Sequence, residues 1–225
     1  MLLCFRLGCF FLVAFANAHN DIIDFEIDKI NRPNRPLPSG KISLKAAYIA
    51  SFACFFGAIV FGFISGFEFA LLFATVGLLC FAYNKFLKGL PLIGNFAVAL
   101  LTTTPIIIPM LKFKLLLPEL LHLLFFAFML TFAREITKDI EDMEGDKALG
   151  LKTFPALLGV NLSLTLVVIC ELKCLAMLAL FKQMVLLGVL PCLLLSVIFA
   201  LLKKWRWSQN MIKISMIFGL IGWLI

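Results

Sequence analysis

Apolar residues fill this chain in long, nearly unbroken blocks at positions 2–20, 44–65, 67–84, 92–111, 115–138, 154–181, 184–202 and 209–225. Most approach the roughly 20 residues that a helix needs to cross hydrocarbon. None shows the short alternation of a barrel strand. Backbone facing lipid must also satisfy its own hydrogen bonds. The pattern therefore predicts an all-α, polytopic transmembrane helical bundle of about eight spans, a single domain over 1–225. The fourth block holds Thr102, Thr103, Thr104, Pro105 and Pro109 and is expected to kink. Glu171 and Lys173 interrupt the sixth and predict its outer end or a break.

The polar stretches between the blocks are uneven. Asp and Glu number 13, and all but Glu68, Glu119 and Glu171 lie in two segments, 20–40 and 134–146. The first places Asp21, Asp24 and Asp28 behind the first block. The second repeats the spacing as Asp139, Asp142 and Asp146 behind the fifth. Positions i, i+3 and i+7 share one face of a helix. Each segment thus projects three carboxylates in a stripe, provided the helix of the span continues into it. The first block, with Arg6 and Ala-Asn-Ala at 16–18, also has the outline of a cleaved secretory leader. Cleavage there would strand the first aspartates at a free end, so a retained span is the expectation.

Composition strengthens the membrane reading. The 225 residues are 63% hydrophobic, with a mean hydropathy of +1.07 and 25 Phe. The cysteines sit inside apolar blocks without metal-ligand spacing, as expected of small buried hydrophobes. The net charge of +7 includes no polybasic tail and predicts no nucleic-acid partner. Its distribution orients the chain instead. Alternating the spans puts Lys29, Arg32, Arg35, Lys41, Lys45, Lys85, Lys88, Arg134, Lys138, Lys147, Lys152, Lys203, Lys204 and Arg206 on one side. The other side receives Arg6, Lys112, Lys114 and Lys182. Positive charge accumulates in the cytoplasm, so both acidic segments are expected on the cytoplasmic face of the cell membrane. Trp205 and Trp207 are read as interfacial anchors.

Three like charges on one stripe repel, and each is costly near hydrocarbon. A divalent cation relieves both problems. Oxygen-only ligands favour Mg2+ over zinc, and Mg2+ binds through a few carboxylates plus substrate phosphates. Arg32, Arg35, Lys85, Lys88, Arg134 and Lys138 lie close by in sequence. Two such stripes facing each other across a cavity would hold a diphosphate whose apolar tail lies among Phe- and Leu-rich helices. The predicted chemistry is cleavage of a carbon–oxygen bond to diphosphate at the membrane surface. The Pro-rich stretch 31–40 is read as a rigid turn that places Arg35 over the phosphates.

Asn20-Asp21-x-x-Asp24-x-x-x-Asp28, the turn Arg35-Pro36-Leu37-Pro38-Ser39-Gly40 and Asp142-x-x-x-Asp146 resemble the UbiA superfamily of intramembrane prenyltransferases. Tyr83-Asn84-Lys85 and Gly94-Asn95 are similar to its middle segments. Residues 134–159 and 93–109 most resemble the branch that transfers geranylgeranyl to geranylgeranylglycerol phosphate in ether-lipid synthesis. The resemblance implies helices around a central cavity opening to the cytoplasm. It implies that Asp21, Asp24, Asp28, Asp139, Asp142 and Asp146 hold Mg2+ and diphosphate, with Asp21, Asp24, Asp139 and Asp142 catalytic. Asn20, Arg35, Lys85 and Lys138 would contact phosphate, and Arg134 would bind the diphosphate, an anionic acceptor or the aspartates. Asn95 would line the cavity or pack helices. The family has nine spans with the first acidic motif closing the second, so the chain is expected to lack the first helix.

The implied partners are a prenyl diphosphate and a lipid or lipid-like acceptor. Two other functions stay open on sequence: transfer to an aromatic acceptor of quinone synthesis, and cation transport through the carboxylates. Phosphatidyl transfer is disfavoured, because no DGxxAR signature occurs. His122 is read as a packing residue, and His19 as a remote candidate for a base.

Overall fold

The computed structural model describes residues 2–181 and 183–224. Lys182 lies outside the described residues, as do the side chains of Pro109 and Lys112, so these three expectations are not placed. The described residues are helical, with no strand among them. The helices are α1 (Leu2–Ile23), α2 (Phe25–Asn31), α3 (Leu44–Ser65), α4 (Phe67–Ala82), α5 (Ile93–Phe113), α6 (Pro118–Ala148), α7 (Phe154–Leu158), α8 (Val160–Phe181), α9 (Gln183–Leu201) and α10 (Trp205–Leu224). A π-helical turn, Tyr83–Leu87, extends α4. Six helices are long and apolar enough to cross a membrane, and Ile93–Ile108 is a shorter apolar stretch. Their outer faces carry exposed large side chains such as Phe56, Phe63, Leu180 and Met184. Surfaces this apolar need lipid rather than water around them. The chain is that of an integral membrane protein.

Two compact units divide it, residues 1–88 and 89–225. In the first, α1 packs on α3 and α4 through aromatic rings. Phe15 lies 4.8 Å from Phe55, Phe11 stacks 5.5 Å from Phe61, and Phe5 meets Phe69 and Phe73. Glycines make room for the rings: Gly8 faces Phe73, Gly57 faces Phe11, and Gly77 faces Phe55. Lipid tails are as apolar as Phe, so close van der Waals fit rather than water exclusion drives such packing. Between α3 and α4, Gly66 takes φ 143°, a conformation closed to side chains bearing Cβ. Its N–H caps the Gly62 carbonyl at 2.9 Å.

In the second unit α6 is central, packing against α5, α7, α8 and α10. Its buried Phe126 and Leu130 join Cys174 and Leu178 of α8, Val189 and Leu193 of α9, and Ile212 of α10. A second cluster joins Ala133 and Ile136 to Val167 and Cys170. Pro118 starts α6, where a missing N–H costs nothing. All seven cysteines are free thiols, three of them buried.

Two expectations are corrected. The sixth block is not one helix from 154: α7 stops at Gly159, whose φ of 83° requires glycine, and α8 starts after it. Nor do Glu171 and Lys173 mark an end or a break. They lie inside continuous α8, where Glu171 is 2% exposed and accepts a 2.8 Å hydrogen bond from the Ser196 hydroxyl of α9. A hydroxyl partner on the adjacent helix lets an acid stay within a span. In α5 the backbone stays helical through Pro105, which cannot donate to the Leu101 carbonyl; the Thr104 hydroxyl donates to it instead at 2.7 Å.

A Cβ on Gly62 would stand 2.8 Å from the Ala70 Cα, a backbone atom. Gly62→Val is expected to cost about 1–3 kcal/mol, read as a lowered melting temperature in detergent, whereas Gly150→Ala, with open space around it, should act only through its positive φ.

Candidate active site

The first acidic segment lies where α1 gives way to α2. Asp24 joins them at φ −79°, ψ 0°, and i→i−4 bonds bridge the joint: Asp24 N–H to Asn20 O at 2.9 Å, Asp28 N–H to Asp24 O at 2.7 Å. The stripe expected from spacing is therefore physical. Asp24 and Asp28 are 4% and 2% exposed, while Asp21 faces outward. Buried carboxylates need partners, and they have them. Arg35 donates to Asp28 at 2.6 Å and to Asp21 at 3.3 Å, and Arg32 lies 3.6 Å from Asp28. Lys88 forms an ion pair with Asp24 and donates to the Asn20 side chain at 2.8 Å; Asn20 itself donates to Asp24 at 3.0 Å.

Arg35 reaches back because the Pro-rich stretch is ordered. Arg35 N–H binds Arg32 O, Ser39 N–H binds Arg35 O, and Ile42 N–H binds Pro36 O. Gly40 closes the turn at φ 76°. The expected rigid turn exists, and its guanidinium rests on Asp28 and Asp21.

The structure places Lys85 differently from Lys88. Lys85 is exposed, with its ammonium 5.4 Å from the Phe86 ring centre, and makes no contact with the acidic stripe among the described residues. The wide π turn, closed by Lys88 N–H to Tyr83 O at 3.0 Å, adds a residue to the register and brings Lys88 onto Asp24. Asn84, inside that turn, is buried and donates to His19 Nδ1 at 2.9 Å. His19 is 2% exposed, which fits a ring held in packing.

The second segment rides on α6, which is about 46 Å long at 31 residues. That exceeds the roughly 30 Å hydrocarbon core, so its final turns carry the acids without a break. Asp139 is half-buried and accepts from Asn95 Nδ2 at 2.7 Å. Asn95 thus ties α5 to α6 as well as facing the acid. Asp142 and Asp146 are buried, and Asp146 accepts from the Thr153 hydroxyl at 2.9 Å. Arg134 pairs with its neighbour Glu135 rather than with an aspartate. Lys138 is half-buried on the same helix. His122 stacks on Phe181 at 4.2 Å, as a packing residue should.

Sequence reasoning missed Thr153, Gln209 and the pairing of Asn84 with His19. No spacing rule signals them, because each bond is long-range or crosses a loop. The donor set of both stripes is carboxylate, amide and hydroxyl oxygen, which suits a hard cation. Among the described residues no three acidic, His or Cys side chains gather into a metal cage.

A family profile for UbiA prenyltransferases matches residues 1–221. The chain belongs to the UbiA prenyltransferase family. Curated members of the family are similar to it. Digeranylgeranylglyceryl phosphate synthase of Methanobrevibacter smithii is 42% identical over 166 residues, 70% of this chain and 58% of that protein. The same-named protein of Pyrococcus furiosus is 47% identical over 146 residues, 64% of this chain and 51% of its own. That of Methanopyrus kandleri is 33% identical over 222 residues, covering 94% and 82%. The chain thus spans a little over half the length of the first two relatives.

Solved structures give the same fold. One described as digeranylgeranylglyceryl phosphate synthase in membranes is 28% identical with a TM-score of 0.58, covering 99% of this chain and 82% of that one. A UbiA homologue from Aeropyrum pernix K1 reaches 0.73 at 19% identity, covering 97% and 86%. One from Archaeoglobus fulgidus, bound to GPP and Mg2+, reaches 0.67 at 18%, covering 98% and 85%.

Arg35→Ala leaves Asp28 buried beside one weaker partner. The expected cost is about 1–3 kcal/mol, discounted because Arg35 is partly exposed. A double-mutant cycle with Asp28→Asn, read by thermal unfolding, should show coupling; additive losses would contradict the pairing.

Proposed function

We propose that the protein is a Mg2+-dependent prenyltransferase of ether-lipid synthesis. It moves a geranylgeranyl group from its allylic diphosphate to the hydroxyl of a prenylglycerol phosphate. The observation that carries this reading is the 42% identity to a synthase of that activity name, over a stretch that necessarily includes the second acidic segment. The binding of GPP and Mg2+ by a family member of the same fold supports the cofactor. We further propose eight spans, one prenyltransferase domain, and both acidic segments on the cytoplasmic side, as the positive charges indicate.

In this reading Asp21, Asp24, Asp28, Asp139, Asp142 and Asp146 are the carboxylates that would hold Mg2+. When bound, the metal would neutralise negative charge on the departing diphosphate. Arg35 and Lys88 already sit on the first stripe, and they exchange aspartate for phosphate oxygens when substrate arrives. Asn20 and Lys138 add donors, and Lys85 supplies positive field from the exposed edge. Guanidinium and ammonium donors aimed at the diphosphate stabilise charge as the bond to carbon one breaks. The electron pair leaves with diphosphate. The apolar helices exclude water from the allylic cation. The acceptor hydroxyl oxygen then bonds to carbon one, and its proton leaves through the released diphosphate to solvent. No His stands by as a base: His19 is engaged by Asn84 and His122 by Phe181.

Asp24→Asn and Asp142→Asn are each expected to lower turnover at least a hundredfold while the protein still inserts; Asp24→Asn, which leaves Lys88 without its ion pair, is also expected to lower the melting temperature. Near-normal rates in either would remove the metal assignment. Purified protein offered prenylglycerol phosphate and 4-hydroxybenzoate, each with geranylgeranyl diphosphate, should make product only with the first and only with Mg2+. Product with the aromatic acid alone would select the quinone branch. Metal flux in liposomes without prenyl transfer would select a transporter.

A further inference from the structure

Within the π turn, Tyr83–Leu87, Asn84 is the buried residue. Its amide Nδ2 donates to His19 Nδ1 of α1 at 2.9 Å, and its Oδ1 is buried with no hydrogen-bond partner. The hold of this amide on α1 therefore runs through His19. The ring of His19 is enclosed in turn. It is buried, with Phe15 of α1 at 5.6 Å and Phe81 of α4 at 5.1 Å. Two phenyl rings confine the imidazole, so its Nδ1 is presented in one direction. The next residue of α1, Asn20, accepts from Lys88 at 2.8 Å, and Lys88 also pairs with Asp24. Consecutive residues of α1 thus grip the two ends of one turn: His19 holds Asn84, and Asn20 holds Lys88.

A π turn is rare, and it occurs mostly as a single turn at functional sites. A buried amide constrains such a turn strongly, because an amide in apolar surroundings is costly unless hydrogen-bonded. Without the Nδ1 acceptor, neither end of the Asn84 amide has a partner. The turn then gains by rewinding to α or by swinging Asn84 outward. Either movement shifts the register of Lys88, whose place beside Asp24 depends on the wide turn closed by its own N–H to Tyr83 O.

We propose that His19 is a positioning residue for prenyl transfer. It fixes the π turn through Asn84, and the turn aims the Lys88 ammonium at the first acidic stripe, where an arriving diphosphate meets it. The consequence for turnover rests on the prenyl-transfer reading above; the aim of Lys88 does not. The role needs a hydrogen-bond acceptor at the place of Nδ1 and neither a base nor a charge. Asn at position 19 would set its Oδ1 near that place. Leu would fill similar space without an acceptor.

The test reads Lys88 directly, on the full chain in detergent. Limited acetylation with acetic anhydride, followed by mass spectrometry, compares Lys88 with Lys85, which is exposed on the same turn and serves as the internal reference. Wild-type Lys88 should react about tenfold more slowly than Lys85, because a paired ammonium must first give up its partners. His19→Leu should remove most of that protection, and His19→Asn should keep it. His19→Leu combined with Asn84→Leu takes away both polar partners at once, so no buried amide is left to unfold the protein. This double variant should melt close to wild type with Lys88 still unprotected. In turnover with geranylgeranyl diphosphate, Mg2+ and prenylglycerol phosphate, His19→Leu should raise the diphosphate KM about tenfold and leave the acceptor KM within about twofold. His19→Asn should return the diphosphate KM to the wild-type value. Protection lost in the double variant supports the role even if wild type transfers no prenyl group, in which case only the reaction assignment fails. Wild-type protection of Lys88 in either folded Leu variant overturns it, as does an unchanged diphosphate KM in a His19→Leu enzyme that turns over.

Discussion

Carboxylates at the ends of apolar helices need something to balance them, and this requirement organises the polar half of the molecule. A charged group close to hydrocarbon is stable only when paired or hydrogen-bonded. Asp24 has Lys88 and Asn20, and Asp28 has Arg35 and Arg32. Asp139 has Asn95, Asp146 has Thr153, and Glu171 has Ser196. The partners come from different elements, so satisfying the acids also pins the elements. The Pro-rich turn is held onto α1 and α2 by Arg35, and α5 is held onto α6 by Asn95.

The same pairs bear on the proposed function. Arg35 and Lys88 are positioned by the acids they neutralise, and in the proposed reaction these are the donors an arriving diphosphate would meet. Preorganised donors need no rearrangement while charge develops. Arg134 of α6, by contrast, is answered by the adjacent residue of its own helix, Glu135. Glu171 shows a third solution: an acid within a span, far along the chain from either stripe, tied by one hydroxyl in a chain that continues from Ser196 to Ser208 at 3.0 Å.

Apolar packing sets the frame on which these pairs form. Rings seated over glycines bring α1 against α3 and α4, and the close approach of Gly62 to Ala70 leaves no space for a larger residue. Because α6 runs unbroken from Pro118 to Ala148, one rigid helix joins the buried Phe126 and Leu130 to Asp139, Asp142 and Asp146. Disturbing the apolar half of α6 would therefore be felt at its acidic end.

The amino-acid order alone determined the helices, because block length and lipid chemistry leave few alternatives. It placed α3 at 44–65 to the residue, and i, i+3, i+7 spacing placed each aspartate triad on one helical face. It did not decide where the sixth block divides, since a single Gly159 at positive φ does that. It did not decide that Glu171 is buried, or that Lys88 rather than Lys85 meets Asp24. Those outcomes depend on which face a helix turns toward its neighbours, and on one extra residue in a π turn. Spacing along a chain reports local periodicity; a partner 64 residues away is chosen only when packing fixes the rotation of both helices.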